Sequence, residues 1–251
     1  MKKLALLLLL SLASCKFSSN YSPQRIEGKQ LEISEAIPAN DSISEFVKPY
    51  KEHIDREMNK VLAYTPVDLT KNDGELNTAI GNMMADAVMD LASPVFRKRT
   101  GENIDIVLLN FGGIRSAISK GDVTTRTAYQ VMPFENEVVV AHMKGIYIQE
   151  MVNYLVDAGS AHPIAGLSLE IGEDNTIQKV LIQGEPLAMD TVYYVATNDY
   201  LLKGGDNMVF FSNALDVTSL DYKIRNVLID YFTQADTIAP VRDQRFIRIK
   251  Q

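Results

Sequence analysis

Cysteine is nearly absent from this chain: there is one, Cys15, in 251 residues. A single thiol excludes an internal disulfide, even in an oxidising compartment, and excludes a cysteine-built metal site. Histidine is almost as scarce, and His53, His142 and His162 are scattered among unrelated segments where each reads as structural or solvent-facing. Nucleophile elbow, P-loop and dinucleotide fingerprints are all missing, so no catalytic residue is assigned to the chain. Basic residues are outnumbered, 25 to 32, for a net charge of -7, which argues against non-specific nucleic-acid binding. The N-terminal apolar run, Leu4 to Ala13, is too short to span a bilayer.

That run follows Lys2 and Lys3 and ends in Leu12-Ala13-Ser14-Cys15, the layout of a secretory signal closing on a bacterial lipobox. The expectation is a signal peptide over 1–14, lipidation of Cys15, a polar tether over 15–24 and one domain over 25–251. Lipidation would hold the chain at a membrane without a spanning helix. Lys16 lacks the aspartate linked to inner-membrane retention, so the outer membrane or periplasmic face is expected.

Along the domain, Arg25 to Ile33 reads as a first strand. Apolar residues from Ile43 to Val61 step by three and four, predicting an amphipathic helix capped by Asp41 or Ser42 and bent or split at Pro49. A second helix follows Asn72-Asp73-Gly74 and ends or bends at Pro94. Strands are expected at 104–109, 137–143, 167–171, 177–183, 192–197 and 245–250. Helices are expected at 147–156 and 219–234. Strands and helices intermix without strict alternation, which predicts an α+β fold, a mixed sheet with flanking helices.

Three segments carry candidate chemistry. Asn110-Phe111-Gly112-Gly113-Ile114-Arg115 leaves a strand with paired glycines, which let backbone approach a ligand, and an arginine fork suited to phosphate or carboxylate. Pro133-Phe134-Glu135-Asn136 fixes a ring ahead of a strand, with Asn136 able to donate or accept on a base edge. Asn198-Asp199-Tyr200 runs to Gly204-Gly205-Asp206, offering a second ring and an acceptor for sugar hydroxyls. Each alone reads first as an ordinary turn or a core aromatic.

Their order and spacing, with Phe134 placed 19 residues after Arg115 and a helix reading IGNMMADAVMDLA, resemble the C-terminal domain of the 5'-nucleotidase family. That family shows GGGIR, then PFGN, then N-x-F/Y and GGD. The resemblance implies that Phe134 and Tyr200 sandwich a base, Arg115 approaches a phosphate, Asn136 touches the base and Asp206 holds ribose hydroxyls. Asn110, Gly112, Gly113, Asn198, Gly204 and Gly205 complete the implied site. Two departures stand out: Phe111 replaces the first glycine of GGGIR, and Glu135 replaces the glycine of PFGN, adding bulk and negative charge beside the base platform. The stretch from Tyr64 to Thr78 lacks the arginines that related enzymes place there, and Lys60 and Lys71 are its nearest cations.

Hydrolysis in that family uses two metals in a separate N-terminal domain, built from segments of the D-x-H, G-D and G-N-H-E kind that the three histidines here do not match. The expectation is therefore a nucleotide- or nucleoside-binding component with no metal ligands of its own. Its divalent metals would sit in a partner metallophosphoesterase chain. The alternatives are a non-catalytic surface binding lipoprotein and a structural lipoprotein that has lost its ligand.

Overall fold

The structure, a computed structural model, describes residues 25, 27–34 and 36–249. The expected signal peptide, Cys15 and the tether lie outside the described residues. By its internal contacts the chain divides into two units, residues 1–48 and 49–251.

In chain order the elements are α1 (Asp41–Met58), β1 (Val61–Thr65), α2 (Ala79–Thr100), β2 (Ile106–Leu108), β3 (Gly121–Thr124), α3 (Thr125–Val131), β4 (Glu137–Lys144), α4 (Gly145–Ala158), β5 (Ile164–Ala165), β6 (Leu167–Ile171), β7 (Ile177–Ile182), β8 (Glu185–Pro186), β9 (Val192–Asn198), α5 (Asp199–Leu202), β10 (Asp216–Lys223), α6 (Ile224–Gln234) and β11 (Phe246–Arg248). Short 3-10 turns occupy Phe111–Gly113, Gly205–Asn207 and Val209–Asn213. The α+β class expected from the sequence is the one observed.

A five-stranded mixed sheet, ordered β10-β4-β9-β2-β5, forms the centre of the second unit. Its middle strands are apolar on both faces, because both faces are covered. In β2, Val107 joins one core with α2 and α6, while Ile106 and Leu108 join a second core with α4. β4 alternates likewise, Val138 and Val140 to the first core, Ala141 and Met143 to the second. A four-stranded sheet, β11-β6-β7-β8, adds Leu167, Leu169, Ile171 and Phe246 to the second core.

Four expectations are corrected. Residues 25 and 27–33 form no strand: they are exposed and, among the described residues, no strand pairs with them, and a strand needs a ladder. α1 is capped by Asn40, whose Oδ1 accepts from Ile43 N at 3.2 Å, not by Asp41 or Ser42, and it runs unbroken through Pro49 with no buried residue. α2 also runs through its proline, Pro94, to a left-handed Gly101 at φ 85°. Burial of Ala92 and Phe96 on either side of Pro94 offsets the roughly 3 kcal/mol that an interior proline costs. The fourth concerns 219–234: residues 216–223 pair with β4 as an edge strand, and the helix starts only at Ile224.

The topology decides where the three candidate segments go. β2 and β9 are parallel, and β4 runs antiparallel to β9, with Val138 opposite Asn198. The carboxyl ends of β2 and β9 and the amino end of β4 therefore share one edge of the sheet. Ligands of α/β sheets favour such an edge, where loops from several strands converge.

Candidate functional site

Those loops enclose a cavity of about 600 Å³ lined by Asn110, Gly112, Gly113, Arg115, Phe134, Glu135, Asn136, Asp199, Tyr200 and Asp206. Residues distant in sequence thus share one wall. Of the residues singled out from the sequence, Asn198, Gly204 and Gly205 are not in the lining. Glu135, read there as bulk and negative charge beside the base platform, and Asp199, which sequence reasoning did not single out, are.

The first segment is fixed from beneath. Phe111 N donates to His162 Nδ1 at 3.2 Å, and Leu109 N to Pro163 O at 2.9 Å. His162 is buried, which pushes its pKa below the usual value and keeps Nδ1 free to accept. Asn110 turns its amide across the cavity floor, Nδ2 donating to Asp206 Oδ2 at 2.7 Å. Gly113 permits this, since a Cβ there would lie 2.8 Å from Asn110 Oδ1. Arg115 N is tied to Val131 O at 2.9 Å, and its exposed guanidinium sits 5.8 Å from the Phe134 ring centroid. Among the described residues it has no carboxylate partner. Beside this turn, Lys71 Nζ lies 4.4 Å from the centroid of Phe111, the residue that stands where the family pattern has glycine.

The second segment is braced by a residue the sequence reading did not single out. Arg225, in the first turn of α6, is 5% exposed. Its guanidinium lies 4.1 Å from the Tyr129 centroid, and Nη1 reaches the carbonyls of Pro133 and Phe134 at 3.4 Å each. Ile224 N donates to Asn136 O at 3.0 Å. The Phe134 ring, 40% exposed, therefore stands on a clamped backbone. Glu135 is paired with Lys223 and Arg225. The hydrogen bond from Lys223, then that from Arg225, lowers its carboxyl from the usual 4.5 to about 2. Its charge is neutralised locally by two cations.

In the third segment Asn198 is buried and caps α5, Oδ1 accepting from Leu201 N at 2.9 Å, so its side chain is committed to the scaffold. Tyr200 lies flat over Gly205, where a Cβ would meet the ring at 2.5 Å. The Tyr200 hydroxyl donates to Asp206 Oδ1 at 2.8 Å and accepts from Asp206 N at 3.2 Å. The first of these bonds raises the tyrosine pKa. Tyr154 donates to Asp206 O at 2.8 Å. Asp206 and Asn207 both adopt left-handed backbone, φ 52° and 61°, which costs about 1 kcal/mol each outside glycine. That strain aims the Asp206 carboxylate at the cavity.

The result is two partly exposed aromatic rings, a guanidinium that donates to Gly112 O at 3.3 Å and has no carboxylate partner among the described residues, and a preoriented carboxylate around one space. Among the described residues Phe134 and Tyr200 pair with no other ring. The set can hold a flat ring by its faces, donors on Asp206 and an anion on Arg115. It does not fit a metal: no group of three or more His, Cys, Asp and Glu among the described residues could hold one. His142 instead packs edge-on against Tyr194 at 4.9 Å, and His162 is spent on Phe111. A second cleft, of about 580 Å³, lies between 67–79 and 240–248, and several of its charges are satisfied internally, Arg248 by Glu75 and Asp73 by Ala79 N. Among the described residues no helix is long and apolar enough to cross a membrane.

The family model for the C-terminal domain of 5'-nucleotidase matches residues 61–213. A 5'-nucleotidase of Vibrio cholerae is 26% identical over 233 residues, covering 88% of this chain and 38% of that protein. The trifunctional nucleotide phosphoesterase YfkN of Bacillus subtilis is 29% identical over 214 residues, 77% of this chain and 14% of its own length. The crystal structure of a 5'-nucleotidase precursor from Thermus thermophilus superposes with a TM-score of 0.69 at 23% identity, covering 86% of this chain and 44% of that one. The chain thus spans less than half the length of these relatives.

Proposed function

The chain belongs to the family of 5'-nucleotidase C-terminal domains, and from that premise we propose that its cavity binds the nucleoside part of a nucleotide and presents the phosphate for hydrolysis by metals held on another chain. The base enters between Phe134 and Tyr200, the ribose hydroxyls donate to Asp206, and Arg115 meets the phosphate end. The pair of unstacked rings lining the same cavity as Asp206 and Arg115 is the observation that carries this reading. Two aromatic faces contribute roughly 1–3 kcal/mol each, and with one charged contact that supports roughly micromolar binding.

Hydrolysis needs two divalent metals to activate water and stabilise the leaving oxygen. In this reading a metallophosphoesterase chain supplies them, and the present chain contributes binding and orientation. Lipidation at Cys15 would hold the pair at a bacterial membrane, on the exported side. Calorimetry with AMP and adenosine on the whole chain, and on Phe134→Ala and Tyr200→Ala, tests the binding half; heat from neither ligand would sink it. Phosphate release from AMP with divalent metal is expected only after a metallophosphoesterase chain is added. Turnover by this chain alone would overturn the division of labour.

A further inference from the structure

His162 is buried beneath the cavity and is not part of its lining. Its Nδ1 accepts the backbone N–H of Phe111 at 3.2 Å. A backbone N–H can only donate, so Nδ1 carries its lone pair and the ring proton sits on Nε2. Protonation removes that acceptor. Both nitrogens of a charged imidazole donate, so no rotation of the ring restores one. The Phe111 N–H would then face a donor, and it lies in the turn that carries Asn110, Gly112, Gly113 and Arg115 into the cavity. Three elements face the ring. The end of β2 brings the Leu109 carbonyl together with the Phe111 N–H, and α4 brings Tyr154, its ring centroid 5.7 Å away. The turn at 205–207 brings Asp206, to which Tyr154 and Tyr200 both donate. Burial pushes the His162 pKa below the usual 6.5, against the Leu109 carbonyl and the Asp206 carboxylate, which favour a charged ring. Tyr154, through burial first, and Tyr200, through its bond to Asp206 first, are both pushed above the usual 10 and stay neutral.

We propose that His162 is a proton switch for the cavity: the neutral ring holds the Asn110–Arg115 turn in its ligand-binding arrangement, and the protonated ring releases it, so that ligand is held at neutral pH and let go in acid. Asn110 transmits the loss, because its Nδ2 bond to Asp206 at 2.7 Å ties the turn to the carboxylate offered to the ligand. His162 is a positioning residue here, acting through Phe111 and Asn110. Linkage fixes the direction. The folded chain takes up this proton reluctantly, and the ligand-bound chain, whose turn must stay in place, more reluctantly still. Acid therefore weakens the ligand, and the ligand lowers the proton affinity of His162 by the same factor. If only the neutral state binds, the apparent Kd rises by up to about tenfold for each pH unit below the point at which the ring protonates, and is flat above it. The proposal rests on the reading of the cavity as a nucleoside site.

Adenosine is the probe, because it has no phosphate to titrate. Calorimetry on the whole chain from about pH 8 to about pH 5 should give a Kd that is flat at the alkaline end and climbs by up to about tenfold per unit once His162 protonates. His162→Asn keeps an acceptor where Nδ1 stands and does not titrate. Its Kd should stay flat across the range, in a protein whose melting temperature confirms that it is folded. Fold stability also falls in acid, so a second readout separates a switch from a histidine that merely packs. The His162 imidazole is titrated by NMR with and without saturating adenosine, its resonances identified among the three histidines by their loss in His162→Asn. Adenosine should lower that pKa, whereas a packing histidine would titrate at the same pH in both samples. Affinity that does not change with pH, or a His162 titration that adenosine leaves unmoved, overturns the proposal and leaves the nucleoside site standing. An acid loss of affinity that persists in His162→Asn overturns the part given to His162. No binding of adenosine at any pH overturns site and proposal together.

Discussion

Gly205 offers the sharpest perturbation, because it acts on ligand binding from beneath the cavity wall. Its φ lies outside the left-handed region, so alanine meets no backbone penalty there. The added Cβ would nevertheless stand 2.5 Å from Cε1 and Cζ of Tyr200 and 2.7 Å from Cδ1. Carbon atoms settle at about 3.5–4.0 Å, so the ring has to move by about 1 Å. The hydroxyl then leaves Asp206, giving up the bonds at 2.8 and 3.2 Å. Two such bonds contribute about 1–3 kcal/mol together. Displacing one stacking face removes about 1–3 kcal/mol of binding, roughly 5- to 150-fold in Kd. Calorimetry with adenosine on Gly205→Ala measures this, with thermal melting beside it. A double-mutant cycle isolates the cause: in a Tyr200→Ala background the new methyl meets no ring, so Gly205→Ala should then cost almost nothing. Native affinity in Gly205→Ala, or a cost that persists without the tyrosine ring, refutes the reasoning.

The other predictions concern the braces. Arg225→Met removes a buried charge whose Nε has no partner, so stability should change by less than about 1 kcal/mol, while the unclamped Phe134 backbone should weaken adenosine several-fold by calorimetry. Glu135 has a folded-state pKa depressed to about 2 from 4.5, so its contribution is complete above pH 4.5 and drains away as pH falls toward 2; melting temperatures over that range should show this slope in the native chain and lose it in Glu135→Gln. His162 likewise has a depressed pKa through burial, so the native chain should lose stability as pH falls below 6.5. His162→Phe should abolish that slope and, by orphaning the Phe111 N–H, cost about 1–3 kcal/mol in denaturant unfolding at pH 7.5.

What the sequence made legible were features with local causes. β6 was expected at 167–171 and runs Leu167–Ile171, because period-two burial is written in its own residues. The three cavity loops were found because glycine, proline and asparagine after a strand mark turns whatever they pack on. Illegible were the features set by a distant partner. β10 was absorbed into the following helix: its residues are an edge strand only because β4 lies alongside, Asp216 opposite His142 through Lys223 opposite Glu137. The helical period at 224, 227, 228, 231 and 232 was real and was extended backwards over residues with no strong period of their own.

The same distant partner supplies what the sequence does not show at Glu135, its counter-ions. In sequence, Glu135 is an unneutralised charge beside a base platform. Its counter-ions, Lys223 and Arg225, lie some ninety residues away, at the junction of the strand that was missed and the helix that was started too early. Pairing β10 with β4 brings that junction to the amino end of β4, which is where Glu135 stands. One long-range ladder therefore supplies both features. It makes residues 216–223 a strand, and it gives the residue that departs from the family's glycine two counter-ions, so that Glu135 forms the outer half of the clamp that seats Phe134. The testable consequence is that Glu135 and Arg225 depend on each other: Glu135→Gln should weaken adenosine binding in the native chain and add little to Arg225→Met, whereas independent costs would mean that the carboxylate acts on the ligand directly.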